Sequence, residues 1–175
     1  MNICHRTKKL FMKIFIALLL LCSSTLQAQE KSTDENKWKI DKNKLLTGGI
    51  IFLSGSAKGF NETLQFNYPI FEKTFPGVND QWFNPKISWR NKYEGANPDN
   101  GPRFFLSTSV LVMFTDQYHL NNFIHKMALT SAIVIKISEG KKPFKHYLFD
   151  LLYYSACYQA GFSALYYPFT SRNYK

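Results

Sequence analysis

The sequence is poor in cysteine and lacks the motifs that identify the common catalytic families. Its three cysteines are Cys4, Cys22 and Cys157. No CxxC pair, Gly-rich phosphate loop or hydrolase triad is present. The string NPDNG at 97–101 looks like part of a calcium loop, but the spaced acidic series and the distal Glu are missing, so it predicts a turn. The sequence therefore gives no motif-based support for a CxxC redox or metal site, a phosphate-binding loop, a hydrolase triad or a calcium loop.

The N-terminus has the pattern of a Sec signal peptide over residues 1–28. Four basic residues precede the uncharged apolar stretch 14–21, and Ala28 is the expected last residue removed. That stretch is short of the roughly 20 apolar residues of a spanning helix, which favours cleavage over a retained anchor. Residues 29–44 are polar and mixed in charge, and they predict a mobile leader.

Positive charge is in excess, with a formal net charge of +10 at pH 7. Cleavage would remove four basic residues and lower the net charge to +6. In a cytoplasmic protein this excess would suggest nucleic acid. In an exported chain it fits anionic lipid headgroups or the charge bias of a membrane protein. We therefore expect membrane lipid as a partner, with another envelope protein or self-association, and no nucleic acid.

Apolar periodicity predicts an all-α fold, a small helical bundle of about four helices in a single domain over residues 45–168. An ordered loop rich in aromatic and basic residues is expected between the first and second helices, and residues 169–175 are expected to form a tail. The predicted helices lie near 45–67, 104–120, 122–138 and 144–167.

The last predicted helix is apolar on nearly every face, which is typical of a helix in a bilayer or deep in a core. A mature chain of this length has few other elements that could bury several such helices, so a membrane location is favoured. The apolar runs on either side of residues 115–126 are nevertheless too short to span a bilayer. A soluble periplasmic protein therefore remains the alternative.

Two further groups of residues suggest contacts. Gly55 and Gly59 have the GxxxG spacing of close helix packing, or else mark a core helix that glycine softens. In the central loop, aromatic rings alternate with cations, which suits a bilayer interface or a loop packed over the helices. The loop residues concerned are Trp82, Trp89, Arg90, Lys92 and Tyr93.

The strings NPKISWRNKY and FFLSTSVLVMFTDQYHL carry a resemblance to a known group of sequences. Together with GFSALYY near the C-terminus, they resemble an uncharacterised family of small Bacteroidota and phage proteins over residues 45–168. The family brings no known reaction, so the resemblance implies architecture only. It implies that the SW and TD.YH elements belong to one structural unit.

The polar passage FTDQYHLNNFIH offers the only candidate chemical site in the sequence. Asp116 and His119 are three residues apart and share a helix face, whereas His125 points away from them. His146 and Asp150 form a second co-facial pair on the last helix. If these two helices are adjacent and antiparallel, the pairs could converge on a divalent metal. The other interpretation is a polar clasp, in which Asp116 and His119 point into the bundle and meet a polar group of another element. The candidate partners are His146 and Asp150, or a cation from Arg90 or Lys92 that would pin the loop over the bundle. Asp116 is also a candidate N-cap.

From these features we expect a small exported, membrane-associated helical protein with a structural or interaction role. The cell envelope is its expected location, with the inner membrane favoured over the soluble periplasm. No cofactor is expected, except that a metal-dependent site would bind a divalent metal. The alternatives are a metal-dependent, hydrolase-like site built from Asp116, His119, His146 and Asp150, and a soluble periplasmic helical binding protein.

Overall fold

The structure is a computed structural model and describes residues 42–170. Within that range the fold is all-α, as expected, and no strand is present. Six α-helices replace the expected four or so, because part of the central loop is itself helical. The expected signal peptide, the first residues of the leader and residues 171–175 lie outside the described range. The helices are α1 (Lys42–Phe66), α2 (Tyr68–Thr74), α3 (Asp80–Phe83), α4 (Pro85–Ser88), α5 (Gln117–Ser138) and α6 (Phe144–Tyr166).

Among the three long helices, α1 packs against both α5 and α6, which have few direct contacts with each other. Helices α1 and α5 are antiparallel, since Ser54 bonds to His125 while Asn61, later in α1, bonds to Tyr118, earlier in α5. Contacts between α1 and α6 run in the same direction. The start of α1, the end of α5 and the start of α6 therefore meet at one end of the molecule, which we call the turn end.

A short connection joins α5 to α6 at the turn end. Gly140 has a φ of +74°, the left-handed conformation that commonly follows the end of a helix. Pro143 lies immediately before α6, where a backbone N–H would have no acceptor within the helix, so the proline costs no hydrogen bond. These two residues explain why the chain reverses here and why α5 and α6 are antiparallel.

The central segment is an ordered series of short helices started by asparagine caps. The side chains of Asn79, Asn84 and Asn97 each accept a hydrogen bond from the backbone N–H two residues later. An isolated β-bridge pairs Tyr93 with Pro102. The segment therefore has defined local structure, and it is more helical than the loop expected from sequence.

The predicted helix over 104–120 is wrong. The chain instead forms turns and a short 3-10 helix, Val112–Phe114, before α5 begins at Gln117. Leu106 has a φ of +60°, which is incompatible with a regular helix there. The hydroxyl of Ser107 also donates to the carbonyl of Lys92 at 2.7 Å and holds the segment against the central loop. The predicted break after residue 120 is also wrong, because α5 is continuous from Gln117 to Ser138.

The buried apolar cluster lies at the opposite end from the turn end. It is centred on Leu64, Tyr68 and Phe71, where α1 gives way to α2. Phe169 packs against this cluster, with its ring 5.6 Å from the ring of Phe71. Residue 169 therefore belongs to the folded domain and not to the expected tail.

Candidate functional site

Asp116 is the N-cap of α5, and its carboxylate is fully buried. Its Oδ1 accepts a hydrogen bond from the backbone N–H of His119 at 2.9 Å, and its Oδ2 accepts one from the hydroxyl of Thr115 at 3.0 Å. The ring Nδ1 of His119 lies 2.6 Å from Oδ2. Because a carboxylate only accepts, this nitrogen carries the proton. The pair fixes the start of α5 and the orientation of the imidazole.

Hydrogen bonds attach the central segment to the start of α5. The amide of Asn91 donates to the carbonyl of Thr115 at 3.1 Å, and the indole N–H of Trp82 donates to Gln117 at 3.0 Å. Gln117 in turn donates to Asn121 at 2.8 Å. The SWRNKY and TDQYH strings thus belong to one structural unit, and Trp82 attaches the loop to a helix.

The remaining aromatic and basic residues of the loop form a cluster of their own. The rings of Trp89 and Tyr93 are 6.2 Å apart and perpendicular. The guanidinium of Arg90 lies 5.4 Å from the Trp89 ring centre, and the ammonium of Lys92 lies 5.3 Å from that of Tyr93. Among residues 42–170, neither cation forms an ion pair with Asp116. The cluster is a partly exposed set of cation–π contacts.

The two expected ligand pairs do not come together. Lys136, in the last turn of α5, lies 2.7 Å from Asp150, whereas His119 is in the first turn of α5. A separation of 17 helical residues corresponds to about 25 Å. No three His, Cys, Asp or Glu side chains within the described range are placed to hold a metal. The sequence argument failed because both pairs lie at helix starts, and antiparallel neighbours place these at opposite ends.

Asp150 instead belongs to a buried group of charges at the turn end, which we call the ionic cluster. Its Oδ2 pairs with Lys136 at 2.7 Å, and its Oδ1 lies 3.7 Å from Lys44. Glu139 pairs with Lys136 and, at 2.5 Å, with Lys142. The side chains of Lys44 and Asp150 are only 8% and 6% exposed. Three lysines and two carboxylates leave the ionic cluster with one net positive charge.

The environment of Lys136 stabilises its charged form. Burial by itself lowers the pKa of this lysine, but hydrogen bonds to Asp150 and Glu139 outweigh burial and raise the pKa above its ordinary value. Sequence analysis missed the other four members of this cluster. The spacing of Lys136, Glu139 and Lys142 was a usable local signal. Lys44 could not have been found, because it contacts Asp150 only through the packing of α1 on α6.

Gly55 and Gly59 make the close helix contact that their spacing predicted. A β-carbon on Gly55 would lie within 3.0 Å of the backbone of Tyr158, and one on Gly59 would lie as close to the backbone of Phe162. The contact sets α1 against α6 with no side chain between their backbones.

Ser54 and His125 form a second polar contact that the sequence did not suggest. The Ser54 hydroxyl lies 2.8 Å from Nδ1 of His125, across the interface of α1 and α5. A Ser–His pair can be nucleophilic, but this serine is fully buried, so no substrate reaches its oxygen. The pair links two helices. Since 71 residues separate its members, only the fold brings them together.

Polarity is inverted at the turn end, where polar groups are inside and apolar groups are outside. Lys44, Thr47 and Asp150 are buried there. Large apolar side chains on the outer faces of the same helix segments are 43–80% exposed. Water-soluble monomers seldom expose apolar surface on this scale. We call these residues the apolar belt: Leu45, Leu46, Phe52, Leu53, Ile133, Val134, Ile137, Phe144, Leu148, Leu151 and Leu152.

Within residues 42–170, no helix combines the length and the apolarity needed to cross a membrane. Comparisons of the chain with protein-family models, with curated proteins and with solved structures find no match.

Proposed function

We propose that this chain is a small exported protein of the cell envelope that attaches to the membrane through the apolar belt. The observation that carries the proposal is the inverted polarity of the turn end, where eleven large apolar side chains face outward around buried Lys44 and Asp150. Transfer of such side chains out of water contributes on the order of 1 kcal/mol each when half of the side chain is buried. Together they are sufficient for stable attachment.

The dimensions of the apolar belt favour contact with the membrane surface. On α1 and on α6 the belt covers about nine residues, or roughly 13 Å of helix. This is well below the roughly 30 Å of the hydrocarbon region. A face that is apolar over this depth and has lysines nearby fits an interfacial location. The signal peptide pattern supports export, and we propose the inner membrane as the surface.

The role we propose is structural or interactive. Three buried polar residues support this role, because each of them holds helices together. Asp116 fixes the start of α5, Ser54 joins α1 to His125, and Asp150 joins the ends of α1, α5 and α6 through lysines. The outward-facing apolar belt then supplies the surface through which the folded unit acts.

Flotation with vesicles tests the attachment. Protein recovered after export should float with zwitterionic phosphatidylcholine vesicles. The variant Leu148→Gln/Leu151→Gln/Leu152→Gln should remain in the aqueous fraction, because three belt positions on α6 become polar. A matched control is Ala156→Gln/Ala160→Gln/Ala164→Gln, which changes exposed positions on the same helix outside the belt and should leave flotation unchanged.

Two results would contradict the proposal. One is equal loss of flotation in both triple variants, which would show that the belt has no special role. The other is complete release of the protein by osmotic shock without detergent. That result would support the soluble periplasmic alternative.

A further inference from the structure

An apolar groove of about 570 Å³ opens at the turn end, between α5 and α6. Its volume is in the usual range of ligand sites, about 300–1,000 Å³. Leu129, Ile133 and Ile137 form one wall, and they extend over eight residues, or about 12 Å, along α5. Ile133 and Ile137 also belong to the apolar belt, so the groove is continuous with the surface that we assign to the membrane.

The end of the groove nearest the α5–α6 connection is basic. Lys136 and Lys141 line it. Lys141 is exposed, and within the described range its ammonium makes no hydrogen bond or ion pair. Lys142 and Lys145 are close by in sequence, and the ionic cluster beneath carries one net positive charge. The groove thus offers an aliphatic wall that leads to an unneutralised cation.

We propose that this groove binds one anionic phospholipid of the bilayer. An acyl chain lies along Leu129, Ile133 and Ile137, and the phosphate group pairs with Lys141. Two observations select this occupant: the groove continues the apolar belt, and its charge is complementary to a phosphate. The proposal rests on the proposed function, since membrane attachment is what presents the groove to lipid.

The preference for anionic lipid can be measured separately from attachment. Binding is compared between phosphatidylcholine vesicles and vesicles that also contain phosphatidylglycerol. The wild-type protein should bind the anionic vesicles more tightly. Lys141→Glu should lose most of this preference, with a fall in affinity of about tenfold for a reversed charge near a headgroup. Its binding to pure phosphatidylcholine should not change.

Lys126→Glu is the matched control, because it makes the same change in net charge at an exposed α5 lysine outside the groove. It should keep most of the preference. Equal losses in the two variants would overturn the groove as a site, since net charge alone would then explain the preference. Absence of any preference in the wild-type protein would overturn it as well.

A water-soluble probe separates failure of the groove from failure of membrane attachment. Short-chain phosphatidylglycerol, titrated below its micelle concentration, should bind with a stoichiometry of one, and Lys141→Glu should weaken this binding. If the protein floats with vesicles but does not bind the short-chain lipid, the groove proposal is overturned while the attachment stands. If the protein binds this lipid but does not float, the attachment fails while the groove stands.

Discussion

A β-carbon placed on Gly161 of α6 would lie within 3.0 Å of the backbone of Phe52 on α1. Gly55 and Gly59 on α1 make the reciprocal approach to α6, so the two helices touch backbone to backbone. Such proximity increases dispersion contacts between parallel helices and leaves large side chains free to face outward. The same contact therefore holds the fold together and puts the apolar belt on the outside.

Replacing these glycines by alanine should destabilise the protein. Gly55→Ala and Gly161→Ala each place a methyl group against backbone, which cannot rotate away, and each should lower the free energy of unfolding by about 2 kcal/mol. Gly49→Ala is the control on α1, because a β-carbon there meets nothing within 4 Å. It should raise stability by about 0.5–1 kcal/mol. Unfolding in denaturant, followed by circular dichroism, measures all three. Equal effects at the three positions would refute the close contact.

The stability that the ionic cluster contributes should depend on the carboxylate of Asp150. Asp150→Asn leaves buried Lys44 and partly buried Lys136 with less negative charge beside them, so the free energy of unfolding should fall by about 3 kcal/mol. The control is Glu62→Gln, which breaks the more exposed pair with Lys58 on α1 and should cost at most about 1 kcal/mol. If Asp150→Asn proves as mild as the control, the cluster does not hold the turn end together.

Local pattern predicted much of the fold. The limits of α1 and α6 followed closely from apolar periodicity. The spacing of Gly55 and Gly59 indicated a close backbone contact but not that α6 is the helix contacted. The segment before α5 was mispredicted, because its conformation depends on a bond from Ser107 to the carbonyl of Lys92, fifteen residues away. Periodicity contains no information about such a partner.

The candidate site was less predictable than the fold. The Asp116–His119 contact is local and was anticipated as a cap. The residues that Asp150 contacts depend on which helix ends meet in the fold. The spacing of side chains along the sequence does not specify this. Its contact with Lys44 joins residues more than a hundred positions apart, through the direction in which α1 and α6 run.

Alkaline pH should destabilise the protein. Burial and a hydrogen bond to Asp80 raise the pKa of Tyr68 above its ordinary value of 10.0, and the pKa of Lys136 is raised above 10.5. A group whose pKa is higher in the folded protein than in the unfolded chain stabilises the fold fully at pH values below its pKa in the unfolded chain. This stabilisation is lost as the pH rises toward the pKa of the group in the folded protein. The melting temperature should thus fall above about pH 10. Tyr68→Phe should make the fall shallower; an unchanged slope would exclude Tyr68 as a cause.

Asp116 should act mainly as a helix cap. Asp116→Ala removes the acceptor for the His119 N–H and the ring nitrogen, so the free energy of unfolding should fall by about 2–3 kcal/mol. Asp116→Asn keeps an oxygen at the cap, and Asn is among the best N-cap residues, so it should cost about 1 kcal/mol. Equal losses in the two variants would show that negative charge matters more than capping.

Zinc provides the remaining test of the two His–Asp pairs. His119 lies in the first turn of α5, whereas His146 lies in the first turn of α6, beside the far end of α5, so one chain cannot supply both imidazoles to a metal whose ligand bonds are near 2 Å. Purified protein should therefore contain no stoichiometric zinc, iron or manganese by elemental analysis, and added zinc should leave its melting temperature unchanged. His119→Ala and His146→Ala are the paired variants. If zinc did bind and both substitutions abolished it, the pairs would have to meet between two copies of the chain, and self-association would then show a matching dependence on zinc.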